Sequence, residues 1–176
     1  MATATQQLQG TYVLDPVHSS ASFAVKHMVV STFRGRFEKF DATLTDGKLV
    51  GTVDVGSIVV KDENLAAHLQ SPEFFDAERH PELRFESTDI RRTDGDEIVV
   101  DGELTIKGIT KAVEARGTIE GPAVTFGDVN KVGLSLEAII DRTEFGLNWN
   151  APLPKGGFAL ANDVKLIVEL ELAEQA

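Results

Sequence analysis

The sequence predicts a closed or nearly closed antiparallel β-barrel of about eight strands. Apolar residues recur at every second position from Thr11 to Leu172, turn signals separate the runs, and only one stretch carries helical spacing. At 176 residues the chain suits one domain. Residues 1–10 read as a flexible polar leader and residues 11–173 as the barrel.

The strands follow from parity. In Glu97 to Lys107, Ile98, Val100, Gly102, Leu104 and Ile106 share one face, with Val99 the exception on the other. Ile109, Val113, Ala115, Gly117 and Ile119 repeat the rule, and Lys107-Gly108 between the runs fits a tight hairpin turn. Val132, Leu134, Leu136, Ala138 and Ile140 hold one parity, as do Val164, Leu166, Val168, Leu170 and Leu172. Asp46-Gly47 and Asp94-Gly95 supply further turns. Parity switches predict β-bulges near Glu38-Lys39 and within Ser87 to Asp89, which would bend the sheet toward closure.

Asp62 to Arg79 breaks the alternation and predicts one or two short helices, with Leu65 and Leu69 on one face and Phe74 and Phe75 placed to lie across a barrel mouth. Arg142 to Asn162 carries Phe145, Leu147, Trp149 and several Gly and Pro residues. It predicts a structured loop with a short helix possible over Arg142 to Asn150. Small residues on the inward parity, Gly35, Ala42, Gly51, Ser57, Ala115, Gly117 and Ala138, would leave interior space. An eight-stranded barrel can hold one small ligand.

Composition narrows function. The hydrophobic share of 42% and charged share of 26% are those of a folded globular protein. A net charge of −11 without a basic cluster argues against nucleic acid and against lasting attachment to anionic membranes. No stretch is long and apolar enough for a membrane helix, so no stable membrane insertion is expected. Met1 to Gln9 lacks the basic start and apolar core of an export signal, so the expectation is a cytoplasmic protein. Absence of cysteine removes disulfides, thiol nucleophiles and thiolate metal sites.

Several pieces spread along nearly the whole length, Thr11 to Leu172, match one known family in order and spacing. The matching pieces are Leu14-Asp-Pro-Val-His18-Ser19 leading to Phe23, Gly35-Arg-Phe37 with Phe40 behind it, and His68-Leu-Gln-Ser-Pro-Glu-Phe-Phe-Asp76 with Pro81 and Phe85. Gly102-Glu-Leu-Thr-Ile-Lys-Gly-Ile-Thr-Lys-Ala-Val113, Arg142-Thr-Glu-Phe-Gly146 and Asn162-Asp-Val164 complete them. Tyr12 stands where that family usually has Trp, and His80 where Tyr is common. On these residues the chain resembles the YceI family of polyisoprenoid-binding proteins, and the resemblance implies a lipocalin-like barrel whose apolar tunnel holds an isoprenoid quinone or related polyprenyl lipid for carriage or storage, often as a homodimer; no cofactor is expected.

The residues themselves allow more than one chemistry. Ten Phe against one Trp and one Tyr make an aromatic surface almost without polar handles, as a dry core or a tail-binding tunnel would both require. The expected lipid wall is Phe23, Val25, His27, Phe37, Phe40, Leu69, Phe74, Phe75, Phe85, Leu104, Leu134, Leu136, Phe145 and Trp149. Phe23, Phe37, Phe40 and Phe85 suit plain core equally well. The alternative is a metal-dependent enzyme or metalloprotein on the same barrel, built on His27 or on His68 and His80 with nearby carboxylates. No His-Glu-x-x-His pattern, nucleophile elbow or Walker loop accompanies those histidines, and no catalytic residue is named.

Overall fold

A computed structural model describes residues 8–175. Eleven antiparallel segments form one sheet: β1 (Thr11–Leu14), β2 (Ser20–His27), β3 (Ser31–Phe37), β4 (Phe40–Thr45), β5 (Lys48–Asp54), β6 (Ile58–Val59), β7 (Glu82–Asp94), β8 (Glu97–Ile106), β9 (Ile109–Val124), β10 (Asn130–Asp141) and β11 (Leu160–Glu174). One helix, α1 (Glu63–Gln70), stands between β6 and β7. Three pairs of short segments are single staves bent at corners. β1 and β2 pair with successive lengths of β11, β4 and β3 pair with β1 and β2, and β6 continues β5 alongside β3. Eight staves result, each beside its neighbour in sequence, and β11 closes the ring against β1 and β2.

The turns hold the register as the sequence predicts. Asp46 and Gly47, and Lys107 and Gly108, all take positive φ, which matches the twist of the strands they join. The ladder between β7 and β8 shifts register at Ser87 and Asp89, the expected bulge, and Ser87 Oγ accepts the Leu49 N–H at 2.8 Å from the next strand. At Glu38-Lys39 the chain instead turns a corner between two strands with different partners. The Glu38 and Lys39 N–H groups leave the ladder and bond Ser57 O and Oγ at 3.2 and 3.0 Å. A bulge inside one ladder is therefore replaced by a bend between two.

Of the helical expectation, only Glu63–Gln70 is α-helix. Asp62 Oδ1 caps it by accepting from the N–H groups of Asn64 and Leu65, and Ser71 ends it before a series of turns to His80. Arg142–Phe145 is a single 3-10 turn ended by Gly146 at φ 74°, where a left-handed residue is required. Residues 1–7 of the expected leader lie outside the described residues. Leu8 is buried in the core, and Gly10 exchanges hydrogen bonds with Asp46.

The interior divides in two. At one end Leu8, Tyr12, Leu44, Ile98, Val100, Val132 and Leu172 pack tightly. At the other, Phe23, Phe37, Leu69, Phe74, Ile106 and Leu147 form a looser group beneath α1. Val99, the outward exception in β8, is buried because its register partners are Arg91 and Arg116, which set an arginine stem on each side of it.

Candidate functional site

Two apolar cavities run through the barrel. The first, of about 300 Å³, lies under α1, and the second, of about 140 Å³, lies deeper. Leu83 and Leu166 border both, so the two lie side by side with that pair as a shared wall. An apolar cavity of 150 Å³ takes a benzene molecule, so together these have room for roughly three groups of that size.

The first cavity is walled by β2 and β3 through Phe23, Val25, His27 and Phe37, by α1 through Leu69, and by the following turns through Phe74 and Phe75. Trp149 from the loop before β11 completes the cover. His68 stands edge-on to Phe74 and Trp149, with ring centres 5.0 and 5.1 Å away, while Phe74 and Trp149 lie 5.6 Å apart. These contacts tie helix and loop into one lid. The β2–β3 turn forms the rim, with Met28 lining the cavity and Met28 and Val29 both at positive φ, which is unusual for a β-branched residue.

The second cavity is bordered by Phe40, Phe85, Leu104 and Leu136, with Ala42, Gly51, Ala115 and Ala138 supplying the short side chains that leave it open. Gly35 and Gly117 have a different use. A Cβ on Gly35 would lie 2.6 Å from the Phe23 ring, and one on Gly117 would lie 1.7 Å from the Ser135 carbonyl oxygen. Both positions are occupied by neighbours, not by space. Ser57 serves the corner at Lys39.

Twelve of the fourteen residues expected to form a lipid wall therefore border one of the two cavities. Leu134, 2% exposed, belongs to the packed end, and Phe145, fully buried, packs in the lid-end core without bordering either. Sequence reasoning passed over Leu83, Leu147, Leu160, Leu166 and, above all, Arg142, which borders the first cavity. The parity of β11 signalled Leu166; nothing in spacing marks an arginine after a strand as an inward residue.

The histidines do not gather into the sites considered for a metal. His68 Nε2 bonds Glu73 Oε2 at 2.6 Å, His27 borders the first cavity, and His80 lies against Gly108. Among the described residues, three ligating groups come within mutual reach only at Asp15, His18 and Glu171, on the outer corner between β1 and β2. Lys131 Nζ already stands 3.0 Å from Glu171 and 3.9 Å from Asp15 there. The hydrogen bond from His18 helps pull the Asp15 carboxyl down to about 2, and the same bond, with the charges of Asp15 and Glu171, raises His18.

The model of the YceI-like domain family matches residues 12–172. The chain belongs to the YceI-like family. Among curated relatives, the UPF0312 protein SA2479 of Staphylococcus aureus (strain N315) is 32% identical over 174 residues, covering 92% of this chain and 96% of that protein. Burkholderia cenocepacia BcnA superposes with a TM-score of 0.77 at 24% identity, over 90% of this chain and 98% of its own. The Campylobacter jejuni YCEI protein gives 0.72 at 26% identity over 86% and 90%. A polyisoprenoid binding domain from Saccharophagus degradans gives 0.71 at 12% identity over 93% and 98%, a likeness of fold alone. This YceI-like barrel thus shares its architecture with a protein described by the lipid it binds, and has an apolar interior of its own.

Proposed function

We propose that this YceI-like barrel binds a long-chain isoprenoid lipid, of polyprenyl or isoprenoid-quinone type, with its tail in the two adjacent cavities, for carriage or storage. The observation that carries the reading is an interior left unfilled by the chain's own side chains and walled almost wholly by carbon. An alkyl chain entering such space gains roughly 0.8 kcal/mol per carbon group, or about 3 to 4 kcal/mol for each five-carbon unit, before ordering costs. Tail burial then supplies most of the affinity, and the lid of α1 and Trp149 must part to admit it. Among the described residues no helix is long and apolar enough to cross a membrane. The reading further places the protein in the cytoplasm, taking lipid by exchange at the membrane's inner face, as a homodimer.

The decisive experiment is organic extraction of the purified protein followed by mass spectrometry, with uptake of a quinone analogue measured on the stripped protein. An isoprenoid in the extract, or saturable uptake, is the expected result. An extract without lipid from a protein that also takes up no quinone or prenyl probe would refute the reading. Fractionation of the producing cells, with the chain found mainly outside the cytoplasm, would remove the placement without touching the ligand.

A further inference from the structure

Four exposed apolar side chains, Met28, Val29, Val30 and Phe158, gather at the rim of the first cavity. The first three form the turn between β2 and β3. Phe158 closes a small hairpin in the loop before β11, where it pairs with Pro152 and the Leu153 N–H donates to the Gly157 carbonyl at 2.9 Å. The two turns touch. The Met28 N–H donates to the Ala159 carbonyl at 2.8 Å, and Gly157 packs beside the Val29 side chain. Met28 lines the cavity, whereas Val29, Val30 and Phe158 border neither cavity and face outward.

Folding alone would choose other residues for this turn. Met28 and Val29 hold φ of 52° and 67°, a region in which a β-branched side chain is strained. At Asp46-Gly47 and Lys107-Gly108 the second such residue is Gly. Val30, 84% exposed, gains little from the core. Apolar residues kept on a surface at a cost in strain point to a contact outside the chain.

Charge identifies the contact. The chain carries −11 overall, yet residues 26–37 hold Lys26, Arg34 and Arg36 and no acid, and residues 145–162 hold Lys155 and no acid. Lys26 and Arg34 alternate with the inward Val25, His27 and Phe33, so they project from the outer face of the hairpin just below its tip. Lys155 stands in the tip of the second hairpin. All three are exposed, and none takes part in an ion pair among the described residues. Acids at this end belong to α1 and the turns after it, Glu63 and Glu73 among them, and Glu73 is engaged by His68. An apolar tip with unpaired cations behind it matches a bilayer with anionic headgroups, whose boundary takes the side chains while its phosphates meet the cations. A second copy of this chain docked tip to tip would set the same cations against one another.

We propose that the tips of these two hairpins are a docking surface for an anionic lipid bilayer, which the protein touches mouth-first to load or unload its ligand. The inference rests on the carrier reading and adds the surface through which exchange takes place. The net charge of −11, repelled by the same leaflet, confines the contact to this orientation and keeps it brief.

The test is transfer of a long-chain quinone analogue from vesicles to the full chain, followed by the fluorescence of Trp149, the single tryptophan and part of the cavity wall. Vesicles are of phosphatidylcholine alone or of phosphatidylcholine with phosphatidylglycerol. Transfer from the anionic vesicles should be roughly tenfold faster, an advantage that high salt removes. Val30→Asp and Lys155→Glu should each slow that transfer roughly tenfold, while uptake of farnesol added from solution matches the unaltered protein. Phe126→Asp, at an exposed apolar tip between β9 and β10, should change neither. Val29→Gly relieves the strained turn, so it should unfold at no lower a temperature and still slow transfer, which separates docking from folding.

Equal rates from the two vesicle types, unaltered transfer by Val30→Asp and Lys155→Glu, or the same slowing by Phe126→Asp would overturn the docking surface. So would a Val29→Gly protein that unfolds earlier, since the tip would then serve the fold, or a dimer lost in Val30→Asp, since the tip would then be a subunit contact. Farnesol uptake from solution leaves the carrier reading standing in each of those cases. Failure of the unaltered protein to take up farnesol or the quinone from any source would sink both.

Discussion

Leu104→Arg, set against Glu103→Arg, tests whether the deeper cavity is part of a binding site. Leu104 is buried, lies opposite Phe85 in the ladder and borders the second cavity, whereas Glu103 is exposed and faces Glu86 and Ala112 on the outer surface. The inner guanidinium would occupy a cavity of about 140 Å³ whose wall is almost all apolar, with Asp41 and Glu137 the acids at its border. Burying that charge costs several kcal/mol. Excluding one five-carbon unit forfeits about 3 to 4 kcal/mol, which is two orders of magnitude or more in affinity. The outer change replaces a facing pair of like charges with an opposite pair, so its effect on stability should stay within about 1 kcal/mol and its effect on uptake should be nil. Trp149 fluorescence against a long-chain quinone analogue measures uptake, and thermal unfolding beside it shows whether the inner variant is folded. Equal loss in both variants, or full uptake by a folded Leu104→Arg protein, would show that this face does not meet ligand.

Gly117→Ala places a Cβ 1.7 Å from the Ser135 carbonyl oxygen, so β9 and β10 must separate, and a loss of about 3 kcal/mol in urea unfolding is expected. Gly133→Ala, with nothing within 4 Å of the new carbon, is its control, and similar losses in both would refute the packing argument. At the Asp15 corner, the folded-state pKa of His18 is raised above 6.5, so its contribution to stability is full below that pH and is lost as pH rises through the folded value. Asp15, held at about 2, contributes above its ordinary 3.8 and loses that contribution as pH falls toward 2. Asp15→Asn should return the His18 titration, followed by NMR, toward 6.5; an unchanged titration would remove the pairing as the cause.

The strands, the hairpins at Asp46-Gly47 and Lys107-Gly108 and the bulge at Ser87 were legible because each is written in neighbouring residues. Period-two alternation fixes which side chains point inward, and Gly at a positive-φ turn position fixes where the chain reverses. The corner at Glu38-Lys39 was legible only as a parity switch. Whether such a switch is a bulge or a bend depends on Ser57, eighteen residues further on, whose carbonyl and hydroxyl take up the freed N–H groups. Arg142 was illegible as a cavity residue for a similar reason. Its three acceptors belong to Leu147, Trp149 and Ala161, and only the folded loop brings their carbonyls around one guanidinium.

Small inward residues had two meanings, and the difference between them separates cavity from core. Gly35 faces Phe23 and Gly102 lies under Phe85, so in each case an aromatic ring fills the volume the glycine gives up. Gly51 has no such ring over it, and it borders the second cavity together with Ala42, Ala115 and Ala138. The same division runs along β11, where Val164, Leu166 and Val168 keep inward parity yet remain half-buried, while Leu170 and Leu172 are buried. Three successive inward residues that face void as well as neighbours forgo packing that larger partners on β4, β5, β9 and β10 could have supplied. A barrel selected for stability alone would fill that space with larger residues at those alanines, each gaining on the order of 1 kcal/mol per added methyl-sized group. Leaving it open along one line, from the lid to the packed end, is the arrangement that an apolar chain entering past Trp149 and Leu166 would complete.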